Sequence, residues 1–109
     1  MLGSLKEEVL ITLAANGPDV LIGEVHAAID NARKKERGKG LSFASVFNTI
    51  QRLEDEKMLN TGKGPIHRGK PMVTYTISAK GERALNAADA VREKLKKRQA
   101  PVLGGTVNV

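Results

Sequence analysis

Cysteine and tryptophan are both missing from these 109 residues, and the aromatic set is one tyrosine and two phenylalanines. Without cysteine there is neither a disulfide framework nor a thiolate metal site, and a reducing compartment suits such a chain. No stretch nears the roughly 18 consecutive apolar residues that a membrane span needs, and residues 1–30 lack the basic start and apolar run of a secretory leader. The chain is therefore read as cytoplasmic, with no membrane partner. Catalytic signatures are absent too. No Gly-rich phosphate loop follows a strand, Gly62-Lys63-Gly64 lacks the remainder of a nucleotide loop, and there is no nucleophile elbow. His26 and His67 are too few and too distant for a metal set without cysteine. His26 reads as a packed or surface helix residue. No catalytic residue, metal or cofactor is expected.

What the chain does have is positive charge. Lys and Arg number 18 against 12 Asp and Glu, a net charge of +6, which points to a polyanionic partner. The distribution sharpens this. Residues 1–30 are net acidic, whereas Arg33 to Lys39 holds five cations and one acid. Asn60 to Pro71 carries Lys63, Arg68, Lys70 and the titratable His67 with no acid, and residues 79–98 are again basic. A chain of this length makes one domain with one modest core.

The periodicity predicts four helices and a hairpin. Leu2, Leu5, Val9 and Leu13 mark a first helix over 4–15, with Ser4 and Glu7 at capping-box spacing. Asn16-Gly17-Pro18 ends it, the glycine as a left-handed cap. A second helix over about 20–33 carries Leu21, Ile22, Val25, Ala28, Ile29 and Ala32, with Asp19 as its cap and Gly23 allowing close approach of a neighbour. Arg33 to Gly40 reads as a solvated loop. Ser42 caps a third helix over 43–57, with Phe43, Val46, Ile50 and Leu53 inward and Ser45, Asn48, Thr49 and Arg52 outward. The period then becomes two: Val73, Tyr75 and Ile77 alternate with Thr74 and Thr76 in a half-buried strand. Met58 to Thr61 is its partner, and Gly62 to Pro71 a long basic hairpin loop. Ser78 caps a last helix reaching about Arg98, where Ala84, Leu85, Ala88, Val91 and Leu95 form an apolar seam. Residues 99–109 have no clear period.

Helix, helix, helix, basic hairpin, helix is the order of a winged helix-turn-helix, a mainly α fold with a small antiparallel β-hairpin (α+β). The expected domains are a DNA-binding unit over 1–78, a dimerisation helix over 79–98 and a tail over 99–109. The major groove admits one α-helix whose side chains meet base edges, and the third helix suits it. Ser45 and Thr49 donate and accept, Asn48 pairs with adenine, and Arg52 reaches guanine or phosphate, with Ser42 at the cap. The hairpin cations Lys63, His67, Arg68 and Lys70 lie along the duplex backbone. The seam Ala84, Leu85, Ala88, Val91 and Leu95 is the expected homodimer interface. A rival reading is a winged helix that binds protein in place of DNA. The scarcity of aromatics argues against it, because protein interfaces favour aromatic anchors.

These residues also resemble a known family. Leu2-Gly3-Ser4-Leu5-Lys6-Glu7-Glu8-Val9-Leu10, the turn Asn16-Gly17-Pro18 and Ile22-Gly23-Glu24-Val25 are similar to PadR-type regulators. So are the run Leu41 to Glu54, with its aromatic at 47 and Arg52-Leu53-Glu54, and the ending Tyr75-Thr76-Ile77-Ser78-Ala79-Lys80-Gly81. The resemblance covers about residues 2–85. It implies a dimeric repressor whose last helix makes much of the dimer contact, and in some members a small aromatic effector that releases DNA. Two departures stand out. Phe47 replaces the family's usual tyrosine and loses a hydroxyl that could reach phosphate. The hairpin holds Pro71-Met72-Val73-Thr74 where the family is denser in Arg and Lys. Both imply weaker or retuned DNA binding, and the lack of tryptophan excludes a Trp-lined drug pocket.

Overall fold

The computed structural model describes the backbone of residues 3–108 and the side chains of residues 3–96. The elements run α1 (Ser4–Asn16), β1 (Val20–Leu21), α2 (Ile22–Arg37), α3 (Phe43–Asp55), β2 (Leu59–His67), β3 (Lys70–Ile77) and α4 (Ala79–Asn108). The three strands form one antiparallel sheet in the order β1-β3-β2. This is the expected winged helix-turn-helix, with one strand more than the periodicity predicts.

The core lies where three helices meet the sheet. Val9, Leu10 and Leu13 of α1, Val25 and Ile29 of α2, and Val46, Ile50 and Leu53 of α3 pack on Val20, Leu59 and Tyr75. Leu10, Leu13, Ile50 and Leu53 have no exposed surface, so truncating any of them to Ala would cost about 2–5 kcal/mol. Burial pushes the Tyr75 phenol upward from its ordinary pKa, and the neighbouring Glu54 charge adds to the shift.

Several local expectations are corrected. Ser4 is the first residue of α1 and not its cap: Gly3 takes that place, and the Ser4 hydroxyl donates to Glu8 Oε1 at 3.2 Å. Gly17 closes α1 in an extended conformation, φ −69° and ψ 172°, where a left-handed cap was expected. Asp19 does not cap α2. Its backbone belongs to the approach to β1, its carboxylate accepts from Thr74 Oγ1 at 3.1 Å, and Glu24 bonds the Leu21 N–H at 2.9 Å in its stead. Nothing lies within 4 Å of a Cβ placed on Gly23, so no neighbour needs that glycine.

The solvated loop after the second helix is mostly helix. α2 continues to Arg37 and ends at Gly38 in the left-handed region, φ +72°. Lys34, Lys35 and Arg37 thereby sit in its last turn, where the helix dipole favours cations. A charged run without apolar residues looks like a loop only until an ion pair anchors it. Here Arg33 reaches Glu8 and Lys34 reaches Asp30.

The long hairpin loop is likewise mostly strand. β2 and β3 pair from Leu59↔Ile77 out to His67↔Lys70, with a register shift between Lys63 and Ile66. Arg68 and Gly69 alone make the turn, at φ +52° and +79°, the pair of left-handed residues that suits a two-residue hairpin. Pro65 is tolerated because β2 is an edge strand. The alternation in β3 holds only in part. Tyr75 is buried and Ile77 half-buried, but Val73 is 49% exposed because it lies out in the hairpin. Thr74, expected to face solvent, is 2% exposed because β1 pairs over it.

α4 begins as expected. The Gly81 N–H donates to Ser78 Oγ at 3.1 Å, and Ser78 Oγ donates to the Lys57 carbonyl at 2.7 Å. The helix runs past Arg98 to Asn108, through the tail that had no clear period. The expectation on Leu2 falls outside the described residues, as do the side chains beyond Lys96.

Candidate nucleic-acid interface

α3 owes its start to a capped turn. The Ser42 hydroxyl oxygen accepts from the Ser45 N–H at 3.2 Å and meets Ser45 Oγ at 2.9 Å. The residue before the cap is held from α2 on both sides. His26 Nε2 bonds the Leu41 carbonyl at 2.7 Å, which makes that nitrogen the protonated one, and Asp30 Oδ1 accepts the Leu41 N–H at 2.8 Å. The Lys34 ammonium and this N–H hold the Asp30 carboxyl below the usual carboxylate range. His26 is thus a packed helix residue, as expected, and it presents its ring edge to Phe43 with centroids 5.6 Å apart. These contacts fix the start of α3 against α2.

Each residue of a helix turns about 100° from the last, so burial divides α3 cleanly. Val46, Thr49, Ile50 and Leu53 are inside. Phe43, Ala44, Phe47, Asn48 and Arg52 are exposed, with Gln51 half-exposed among them. The structure therefore places Asn48 and Arg52 on the outer face, as expected, but not Thr49. Thr49 is 8% exposed and its hydroxyl donates to the Ser45 carbonyl at 2.8 Å. Ser45 is half-buried and turned toward Ser42. Phe43, expected in the core, is 47% exposed. Ala44, Phe47 and Gln51 were missed as members of the outer arc. Placing Asn48 at its centre, with the buried stripe Val46-Ile50-Leu53 opposite, would have found them.

The β2–β3 hairpin supplies a second surface. Lys63, His67, Arg68 and Lys70 are all exposed on it, with Arg68 in the turn and His67 and Lys70 paired beside it. A third set of side chains lies on α4. Leu85 packs against the chain's own core, while Ala84 and Ala88 are half-buried and Val91 and Leu95 are 47% and 49% exposed. Ala84, Ala88, Val91 and Leu95 line a groove of about 580 Å³ together with Lys6, Glu7, Glu56, Met58, Ala87 and Arg92. The Arg92 guanidinium faces the Glu7 carboxylate across it. Among the described residues there is no group of three or more His, Asp or Glu that could hold a metal, and no helix is long and apolar enough to cross a membrane.

No known family profile matches the chain, and no curated protein matches its sequence. Solved structures do, through their folds. A PadR family transcription regulator from Clostridium difficile R20291 superposes with a TM-score of 0.67 at 16% identity, over 93% of this chain and 99% of that one. A PadR-like transcription factor from Bacteroides fragilis gives 0.67 at 18% identity over 87% of both chains. Bordetella bronchiseptica BpsR, whose DNA binding is regulated by 6-hydroxynicotinic acid, gives 0.62 at 22% identity over 89% of this chain and 59% of that one. Three helices, a two-residue hairpin turn and a long last helix, matched along nearly the whole chain, give this protein the PadR-like winged-helix fold.

Proposed function

We propose that this chain is a sequence-specific, duplex-DNA-binding transcriptional repressor that acts as a homodimer and catalyses no reaction. One observation carries the reading. The outer arc of α3, with Asn48 and Arg52 beside Ala44 and Phe47, is exposed, and the same small domain carries an exposed hairpin tipped by cations. α3 enters the major groove, where Asn48 hydrogen-bonds adenine and Arg52 reaches guanine or a phosphate. Ser42 and Ser45 at the start of the helix meet the backbone, and Thr49 acts by shaping the helix from inside. Lys63, His67, Arg68 and Lys70 lie along the flanking strand, displacing counterions without reading sequence. Val91 and Leu95, with Ala84, Ala88 and Leu85 behind them, bring two copies together so that two α3 helices face successive turns of one duplex. The regulation of BpsR by 6-hydroxynicotinic acid supports a small aromatic effector for this chain as well.

A second reading has one observation in its favour. Phe43 and Phe47 are both exposed on α3, and exposed aromatics are also what a protein interface uses. A gel shift on random duplex, titrated with salt, separates the two. A DNA-binding protein retards the duplex at low salt and loses affinity steeply as salt rises. A protein-binding module retards nothing at any salt.

A further inference from the structure

The outer arc of α3 is less polar than a reading helix needs to be for hydrogen bonding alone. Phe43 is 47% exposed and Phe47 43%, and Ala44 beside Phe47 is exposed as well. A single exposed apolar side chain is ordinary. Two large rings and a methyl within five residues on the outer face of one helix form an exposed apolar strip. The two rings are differently engaged. Phe43 meets the His26 ring edge and belongs to the device that orients α3. Phe47 has no aromatic partner among the described residues, and it follows Ala44 by three positions, so the two share a face in the first turns of the helix. Asn48 stands beside them on the same arc.

Only one group on the floor of the major groove is apolar: the 5-methyl of thymine, which contacts of the Ala and Phe type can recognise. The base-reading residues of a helix-turn-helix lie toward the start of its recognition helix, which is where Ala44, Phe47 and Asn48 sit. We propose that Phe47, with Ala44 beside it, packs on thymine methyl groups, and that Phe47 is a specificity-determining residue for A·T pairs in the half-site. The inference rests on the DNA-binding reading above and adds to it a chemical group on the partner. Asn48 then reads an adenine on the same short run of A·T pairs. Positive charge comes from the exposed hairpin cations, so affinity does not require Phe47 to be polar.

The test uses the full chain and a duplex selected by it from a random library. Each thymine of that duplex is replaced singly by deoxyuridine, which removes only the methyl. Burying one carbon is worth about 0.8 kcal/mol, or about fourfold in affinity. Wild-type protein should lose about fourfold at one or two positions of each half-site, and Phe47→Ala should bind the thymine and deoxyuridine duplexes equally at those positions. Three results would overturn the proposal. One is a wild-type scan that is flat at every thymine. Another is a Phe47→Ala variant that keeps the full thymine preference. The last is a uniform loss of affinity on all duplexes with the preference unchanged, which would make the ring a backbone contact. A flat wild-type scan overturns the proposal even if Phe47→Ala folds poorly. Failure to select any duplex would instead sink the DNA-binding reading itself, and this inference with it.

Discussion

Arg33 grips the Glu8 carboxylate with two hydrogen bonds, Nε to Oε2 at 3.0 Å and Nη2 to Oε1 at 2.5 Å, and so ties the last turns of α2 to the middle of α1. Both side chains are mostly sheltered from water. The guanidinium bonds hold Glu8 below its usual pKa, with help from the Ser4 hydroxyl and against the effect of burial. A carboxylate depressed in this way contributes stability that is fully present above its unfolded pKa, near 4.5, and is lost as pH falls through the lower folded value. Denaturant midpoints should therefore drop below about pH 4.5 by more in wild type than in Glu8→Gln. At pH 7 the variant should be less stable by about 1–2 kcal/mol. Parallel acid profiles of the two proteins would refute the coupling.

Two glycines in helices should respond in opposite directions. A Cβ on Gly81 would collide with the Met58 carbonyl oxygen and stand 2.9 Å from Ile77 Cγ1, and that carbonyl is engaged by the Ser78 N–H. Gly81→Ala should cost about 1–3 kcal/mol despite alanine's better helix propensity. Gly23 meets nothing, so Gly23→Ala should add about 0.5–1 kcal/mol. Urea unfolding of both variants checks the pair.

On DNA, Asn48→Ala and Arg52→Ala should each weaken binding to a selected operator by about 1–3 kcal/mol, and by more than they weaken binding to random duplex. Arg68→Ala and Lys70→Ala should weaken both alike and flatten the dependence on salt. Fluorescence anisotropy across a salt series distinguishes the two patterns. Equal losses on operator and random DNA from the α3 variants would refute the division of labour.

Assembly should fail when the exposed end of the α4 seam is charged. Val91→Glu with Leu95→Glu places two carboxylates on the surface expected to meet a second copy, where burial without a partner is costly. Sedimentation should show a monomer with nearly unchanged helicity, and operator affinity should fall steeply. An unaltered oligomer would put the interface on another surface, such as α1 with its exposed Ile11.

Local patterning by itself determined the order of the four helices and the hairpin, the Ser42 and Ser78 caps, and the buried stripe Val46-Ile50-Leu53, because each depends on near neighbours in the chain. It also determined the basic hairpin, since Lys63, His67, Arg68 and Lys70 stand together in the chain wherever it folds. Only the tertiary structure decided the rest. β1 is two residues long and exists because Val20 and Leu21 find Tyr75 and Thr74 across the sheet, more than fifty positions away. The same pairing buries Thr74 and takes Asp19 from its expected place as a helix cap. Arg33 looks like solvated charge until Glu8, 25 positions earlier, comes within reach. Phe43 and Thr49 exchange the places that hydropathy assigns them. The helix turns Thr49 inward, where the Ser45 carbonyl satisfies its hydroxyl, while the His26 and Asp30 contacts to Leu41 hold the start of α3 where Phe43 faces outward. Hydropathy reads each side chain alone, whereas which side of a helix is inside depends on where the other elements stand.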